Sequence, residues 1–303
     1  MESKAFAKIN LHLEVLNKRQ DGYHEILSLM AEIGVFDLLK LAEIKPHGEI
    51  VIGITPAGGT FPGVIEGIPL EDNLIARATR AYCRAVKEAG VFEYTIEKNI
   101  PAGSGMGGGS ADAAAALRLL NFHYKRLAQG ELARLAGEIG ADVPFCLAGG
   151  VALCRGIGER VEPIEGRPEW TVLVADMGIH VDTGAAYAML GRGFKPVRSE
   201  EELIDRGERL RAAMRSGRLE ELSGIVANDF EAVVFEKHPV LRQAKDRLVQ
   251  CGSPCAFMTG SGSAIVGLFG SPGDARRAEN EMNGIARTVI TTSLARGNDG
   301  TQS

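Results

Sequence analysis

The chain has 303 residues, of which 45% are hydrophobic and 24% charged, with a formal net charge of −5 and a pI near 5.8. This composition is typical of an ordinary globular protein of about two domains. The negative charge argues against a basic surface for nucleic acid or an anionic membrane. We therefore expect a protein that acts on small molecules, with no nucleic-acid or membrane partner, and the sequence indicates no protein partner.

The cysteine pattern and the hydropathy predict a cytoplasmic protein. No apolar run approaches the roughly 18 residues needed to span a bilayer, and the first residues lead into an alternating segment rather than a signal peptide. An odd number of cysteines without a CxxC pair is typical of a reducing compartment. We expect structural roles for Cys83, Cys146, Cys154, Cys251 and Cys255.

The first predicted element is a half-buried strand over residues 5–15. Its odd-numbered positions are all apolar, from Ala5 to Val15, and most of its even-numbered positions are polar, including Lys8, Asn10 and His12. Strict alternation is the period of a strand with one face in the core. Lys8 would then face away from the core, where it is either a solvated lysine or a functional one.

The remaining elements follow in blocks. The first half is predicted to contain strand-like runs within 25–54, a Gly/Pro-rich stretch over 56–69, a helix over 73–89, a strand over 94–97, and helices over 111–127 and 130–139. The second half is predicted to contain a strand over 170–175, several helices between 183 and 249, a hairpin over 256–269, a helix over 272–284 and a strand over 287–293. Without regular βαβα alternation, this order predicts an α+β fold. We expect domains over 1–155 and 156–295 and a flexible tail over 296–303.

A glycine-rich loop stands between the strand at 94–97 and the helix that follows. Five of its seven positions from 103 are glycine, namely Gly103, Gly105, Gly107, Gly108 and Gly109. Glycines let backbone N–H groups approach an anion, and a helix N-terminus adds the positive end of its dipole. Ser110 can cap this helix, and Asp112 in its first turn favours the dipole. The capping residues alone are also compatible with a simple strand-to-helix turn, but the glycine density predicts phosphate binding.

Several phosphate-binding classes do not fit this loop. Gly109 stands where a Walker A loop has its lysine. Residues 103–108 satisfy GxGxxG, but a second helix follows where a dinucleotide fold has a strand ending in an acid. The protein-kinase HRD and DFG segments are absent. Asp142, in GADVP, can serve as a helix cap or as the carboxylate that accepts a hydroxyl proton during phosphoryl transfer.

Three segments in this order resemble the motifs of the GHMP kinase superfamily. They are AKINLHLEVLNKRQDGYHEI, PAGSGMGGGSADAAAAL and AFMTGSGSAIVGLF, and together they span residues 7–269. The combination of DGYH with GMGGGSADAA is similar to the branch that acts on a cytidyl diphosphate alcohol. Met106 and Ala111 depart from the common Leu and Ser of that branch. The resemblance implies a two-lobed α+β architecture with the active site in the cleft between the lobes.

The resemblance also implies a reaction and a catalytic pair. The reaction is the ATP-dependent phosphorylation of the 2-hydroxyl of 4-diphosphocytidyl-2-C-methyl-D-erythritol in the non-mevalonate isoprenoid pathway, with Mg²⁺ accompanying ATP. Asp142 would act as the base and Lys8 as its electrostatic partner. Ser110 is a candidate Mg²⁺ ligand.

The binding residues implied by the resemblance form two groups. The ATP group consists of Asn73, Leu74, Lys98, Pro101, Gly103, Gly105, Met106, Gly107, Gly108, Gly109 and Ser110. The substrate group consists of Asn10, Tyr23, His24, Thr183, Tyr187, Thr259, Gly260 and Ser261. Within the substrate group, His24 would hydrogen-bond the edge of the cytosine, and Tyr23 and Tyr187 would stack on it.

Three alternatives stay open at this point. A related kinase would phosphorylate homoserine, mevalonate or a sugar, although DGYH argues against it. A dinucleotide oxidoreductase is suggested by GxGxxG alone. A nucleotide-binding regulator could keep the fold without turnover, although the presence of both Lys8 and Asp142 favours catalysis.

Overall fold

The first half of the chain is built on a mixed sheet whose longest strands are β1 (Glu2–Lys18) and β2 (His24–Leu41). The structure, a computed structural model, describes residues 1–166, 168–295 and 301–302. The other strands of this sheet are β3 (Ile50–Pro56), β4 (Gly90–Glu97), β5 (Val151–Arg155), β6 (Arg160–Pro163) and β11 (Thr301–Gln302). The order is β11-β1-β2-β4-β3, with β5 on β2 and β6 on β5, and only β3 and β4 pair in parallel. A 3₁₀ helix covers Pro62–Ile65.

Four helices accompany this sheet: α1 (Leu74–Val86), α2 (Gly108–Tyr124), α3 (Gln129–Ile139) and α4 (Val143–Ala148). Helix α2 contains four consecutive alanines, Ala113–Ala116, that are fully buried. Such small side chains let a helix axis approach the strands closely. The close packing of α2 on β1 brings the start of this helix next to Lys8.

The second half contains an antiparallel sheet in the order β10-β7-β9-β8. Its strands are β7 (Thr171–Asp176), β8 (Cys255–Met258), β9 (Ile265–Phe269) and β10 (Thr288–Ser293). Its helices are α5 (Thr183–Leu190), α6 (Glu200–Ser216), α7 (Leu219–Ser223), α8 (Phe230–Lys237), α9 (Pro239–Gln250) and α10 (Pro272–Met282). Each of the two buried clusters contains residues from both halves of the chain. The blocks of strands and helices confirm the predicted α+β fold.

Strand β1 differs from the half-buried prediction, which was wrong for its central part. Lys8, Asn10, His12 and Glu14 are all nearly fully buried. The second face is covered by chain segments from far away: Thr259 contacts Asn10, and Arg198 and Arg206 contact Glu14. An alternating pattern reports only which face is apolar, so it cannot show that polar side chains are buried by pairing.

The predicted domain boundary at residue 155 falls inside the hairpin formed by β5 and β6, and it stays a prediction. Residues 296–300 and 303 of the predicted tail lie outside the described residues. Thr301 and Gln302 pair with Ser3 and Glu2 of β1. Among the described residues, no helix is both long and apolar enough to cross a bilayer.

Candidate active site

The glycine-rich loop is fixed in place by two distant segments. The Lys8 N–H donates to the carbonyl of Met106 at 3.0 Å, and the Ala264 N–H donates to the carbonyl of Ser104 at 3.1 Å. Gly105 has φ of +82° and lies against the Thr259 carbonyl, which a β-carbon at 105 would meet at 2.3 Å. The loop is therefore held between β1 and the turn after β8, and Gly105 is required by the fold itself.

Helix α2 begins at Gly108, with Gly107 in a left-handed conformation at the N-cap. The prediction that Ser110 caps the helix is therefore wrong, because Ser110 lies inside the first turn. Asp112 lies one position beyond that turn and binds Lys98 instead. The first N–H groups of a helix have no carbonyl partner within it, and its dipole is positive there. This end of α2 can accept a phosphate.

Lys8 and Asp142 meet beneath this loop. The Lys8 Nζ lies 3.2 Å from Asp142 Oδ2 and donates to Asn10 Oδ1 at 2.6 Å. A β-carbon at Gly107 would lie 3.0 Å from Lys8 Cγ and Cε, so the lysine passes directly under the loop. Asp142 immediately precedes α4, yet its side chain accepts no capping hydrogen bond. The Asp142 carboxylate is therefore paired with Lys8 and does not cap α4.

Asn10 is positioned by its own neighbours. Its Nδ2 donates to Ser28 Oγ at 2.9 Å, and its backbone N–H donates to Thr259 Oγ1 at 2.9 Å. Thr259 is completely buried. Its hydroxyl therefore supports Asn10 rather than lining the cleft.

An aromatic group lies at the other end of the cleft. The rings of His24 and Tyr187 stack with centroids 4.7 Å apart, and Phe230 packs edge-on against Tyr187 at 4.8 Å. Tyr23 is 59% exposed beside them. Burial and then the charge of Lys18 lower the pKa of His24, which keeps the ring neutral at pH 7. Neutral imidazole offers one donor and one acceptor.

The Lys8–Asp142 pair lines the same cleft as the glycine loop and this aromatic group. Lys8 contacts the loop, as described above. Burial and then the charge of Asp142 raise the pKa of Tyr187 to about 12. Thr183 Oγ1 and Ser261 Oγ lie 2.9 Å apart and join α5 to the turn after β8.

One cleft of about 880 Å³ collects the predicted residues. All of them line it except Thr259. Asn73 lines it as the N-cap of α1, where its Oδ1 accepts from the Ile75 N–H at 2.9 Å. Lys98 lines it as well, but its ammonium is held between two buried carboxylates, Asp37 and Asp112.

Several lining residues were missed by sequence reasoning. They include the apolar residues Ile65, Ile68, Ile75 and Ile100, and also Lys18 and Phe230. Asn228 supports the turn after β8 by donating to the carbonyl of Gly260 at 2.8 Å. Isolated isoleucines and asparagines carry no distinctive spacing, so the sequence offered no signal for them.

Comparisons with known proteins agree with this geometry. The GHMP kinase N-terminal domain matches residues 73–150, and the GHMP kinase C-terminal domain matches residues 210–286. The chain belongs to the GHMP kinase family. It is 34% identical to a 4-diphosphocytidyl-2-C-methyl-D-erythritol kinase from Caldicellulosiruptor bescii, covering 98% of this chain and 99% of that protein. A protein of the same name from Solibacter usitatus is 40% identical, covering 88% and 80%.

Solved GHMP kinase structures share the fold. A 4-(cytidine 5'-diphospho)-2C-methyl-D-erythritol kinase has a TM-score of 0.75 at 32% identity and covers 98% of this chain and 100% of that one. A homoserine kinase from Cytophaga hutchinsonii also has a TM-score of 0.75, at 17% identity, covering 97% and 94%. The second likeness concerns the fold alone. The predicted superfamily and its two-lobed architecture are confirmed, and a kinase of this family uses ATP.

Proposed function

We propose that this kinase transfers the γ-phosphoryl group of ATP to the 2-hydroxyl of 4-diphosphocytidyl-2-C-methyl-D-erythritol and releases ADP, as a step of isoprenoid synthesis. One observation carries the proposal. A single cleft contains a helix end that can accept a phosphate, a Lys8–Asp142 pair and a stacked His24–Tyr187 group. The names of the relatives support the same substrate.

In the proposed reaction, the Asp142 carboxylate accepts the proton of the 2-hydroxyl while the oxygen of that hydroxyl bonds to the γ-phosphorus. The bond from that phosphorus to the β–γ bridging oxygen breaks, and ADP carries the electron pair away. Lys8 reaches both Asp142 and the underside of the loop, so its ammonium can stabilise charge that develops between them. Phosphoryl transfer needs mainly such positioning and charge stabilisation.

The aromatic end would hold the cytosine. A pyrimidine offers two π-faces, and Tyr187 together with the exposed Tyr23 would cover them when the base takes the place of the His24 ring on Tyr187. The neutral His24 can then bind the edge of the base, because neutral imidazole both donates and accepts. Asn10, whose side chain accepts from Lys8 Nζ and donates to Ser28 Oγ, would contact the alcohol or the diphosphate.

Magnesium would arrive with ATP. Within residues 1–166 and 168–295, no group of three or more His, Cys, Asp and Glu side chains is arranged to hold a metal ion. Mg²⁺ is commonly bound by the phosphates of the nucleotide and one or two protein groups, so an ion carried by the nucleotide needs no such group of side chains. Ser110, in the first turn of α2, is the residue we propose beside it. When bound, the ion neutralises charge on the phosphates.

A substrate panel tests the proposal. ADP release is measured with ATP plus 4-diphosphocytidyl-2-C-methyl-D-erythritol, homoserine, mevalonate or galactose, each at the same concentration. We expect turnover only with the cytidyl compound. Turnover with homoserine, mevalonate or galactose would assign the protein to another GHMP-type kinase. ATP binding without turnover of any compound would favour a regulator.

A further inference from the structure

The loop that receives the phosphates has two stems, and a buried ionic group joins them. Before the loop, the Lys98 Nζ donates to Asp112 Oδ2 at 2.6 Å, and Asp112 belongs to α2 after the loop. Lys98 also donates to Asp37 of β2. All three side chains are almost completely buried. The group therefore connects the chain before residue 101 to the helix after residue 107.

Asp37 fastens the first stem a second time. Its Oδ1 accepts hydrogen bonds from the backbone N–H groups of Asn99 and, at 2.9 Å, of Ile100. The strand β2 thus fixes the direction in which the chain enters the loop. A β-carbon at Gly108 would lie 3.6 Å from Lys98 Nζ, so the ammonium sits directly under the first residue of α2.

The group contains more charge than a simple structural tie requires. One ammonium faces two carboxylates, and Asp112 Oδ1 has no hydrogen-bond partner among the described residues although it is buried. Burial, opposed mainly by Lys98, raises the pKa of Asp112 to about 7. Buried ions are costly unless they are well paired, and a buried ion pair is by itself weak evidence for a stabilising role.

We propose that Asp112 and Lys98 are positioning residues that set the spacing of the two loop stems and so aim the first N–H groups of α2 at the ATP phosphates. This inference rests on the proposed function, because it requires a nucleotide at the loop. In place of a direct ATP contact by Lys98, which the resemblance implies, we infer an indirect role. The ammonium already has two carboxylate partners, so it acts on the nucleotide through the loop.

A merely structural role makes a different prediction. Loss of a buried tie would then lower the free energy of unfolding without favouring one end of the cleft over the other. Loss of loop positioning weakens the nucleotide end selectively. The two roles separate when binding at both ends is measured in the same variant.

The experiment is calorimetric titration of the full-length protein at pH 8 with ADP as the probe of the loop and CDP as the probe of the aromatic end. Asp112→Ala removes the tie in a segment already rich in alanine. We expect its ADP Kd to rise about tenfold, the scale of one charge-assisted hydrogen bond, and its CDP Kd to stay within about twofold. Asp112→Asn keeps an oxygen that Lys98 can bind and should recover part of the ADP affinity.

The matched control is Asp176→Ala. Asp176 is also buried and paired, with Arg287, but it belongs to β7 of the second sheet. Its removal should lower the unfolding temperature and leave both Kd values unchanged. If Asp112→Ala does not fold, Asp112→Asn decides alone, with an ADP Kd raised about threefold against an unchanged CDP Kd.

Two results would overturn the inference. One is a folded Asp112 variant whose ADP Kd equals that of the wild type. The other is an equal weakening of ADP and CDP, which would show a general loss of structure. A wild-type protein that binds neither nucleotide would instead refute the proposed function and the inference with it.

Discussion

Replacing Asp142 by asparagine tests the proposed base directly. The amide has nearly the same shape as the carboxylate but cannot accept the hydroxyl proton. General base catalysis contributes about 10²–10⁴ in rate, so we expect kcat to fall by that factor, equivalent to about 3–5 kcal/mol on the barrier. The Kd for ADP should stay near the wild-type value.

The structure limits the effect of this change on stability. The Asp142 side chain is 31% exposed and does not cap α4, so its ion pair with Lys8 is worth up to about 1 kcal/mol. Lys8 keeps an acceptor, Asn10 Oδ1 at 2.6 Å, when the carboxylate is lost. We therefore expect the unfolding temperature to fall by only a few degrees.

The assay measures kcat for transfer from γ-labelled ATP to the cytidyl substrate, with thermal unfolding measured on the same preparation. Asp246→Asn, an exposed site on α9, serves as the control of identical chemistry. The double variant Lys8→Met with Asp142→Asn should lose little more than the worse single variant, because both groups act in one step. A folded Asp142→Asn protein with kcat within tenfold of the wild type would refute the assignment.

Further predictions follow from individual residues. Gly109→Ala should leave the protein folded, because its β-carbon would meet Leu74 at an ordinary contact distance of 3.5 Å. It should weaken ADP binding, because a β-carbon keeps the loop backbone farther from the phosphates. Gly105→Ala should destabilise the fold, because its β-carbon would meet the Thr259 carbonyl at 2.3 Å, and thermal unfolding will show this. Unchanged ADP binding in Gly109→Ala would place the phosphates elsewhere. Tyr187→Ala should raise the KM for the cytidyl substrate more than the KM for ATP, and equal increases would move the cytosine site. Burial lowers the pKa of His12 to about 4, so stability present above pH 6.5 is lost as the pH falls toward 4. From pH 8 to pH 5 the free energy of unfolding should fall by about 2 kcal/mol through this group. Urea unfolding of His12→Gln should show a correspondingly flatter pH dependence of that free energy. An unchanged profile would exclude His12 as the cause of the pH dependence.

Local backbone preferences explain why the predicted elements agree well with the structure. The predicted hairpin over 256–269 corresponds to β8 and β9, and the helix predicted over 130–139 corresponds to α3. The start of α2 was placed three residues late, because glycines disfavour helix interiors and Ser110 looked like a cap. Here tertiary contacts to Lys8 and Thr259 hold the glycines in place.

The sequence by itself determined most of the strands and helices, the glycine loop before α2 and the membership in a kinase family, because these depend on period, local conformation and motif order along the chain. Only the tertiary structure decided that Lys8 meets Asp142, that the polar face of β1 is buried, and that Lys98 binds Asp37 and Asp112. These partners come from segments far apart in the chain. Their pairing depends on how the sheet and the helices pack, and charge alone does not encode a partner.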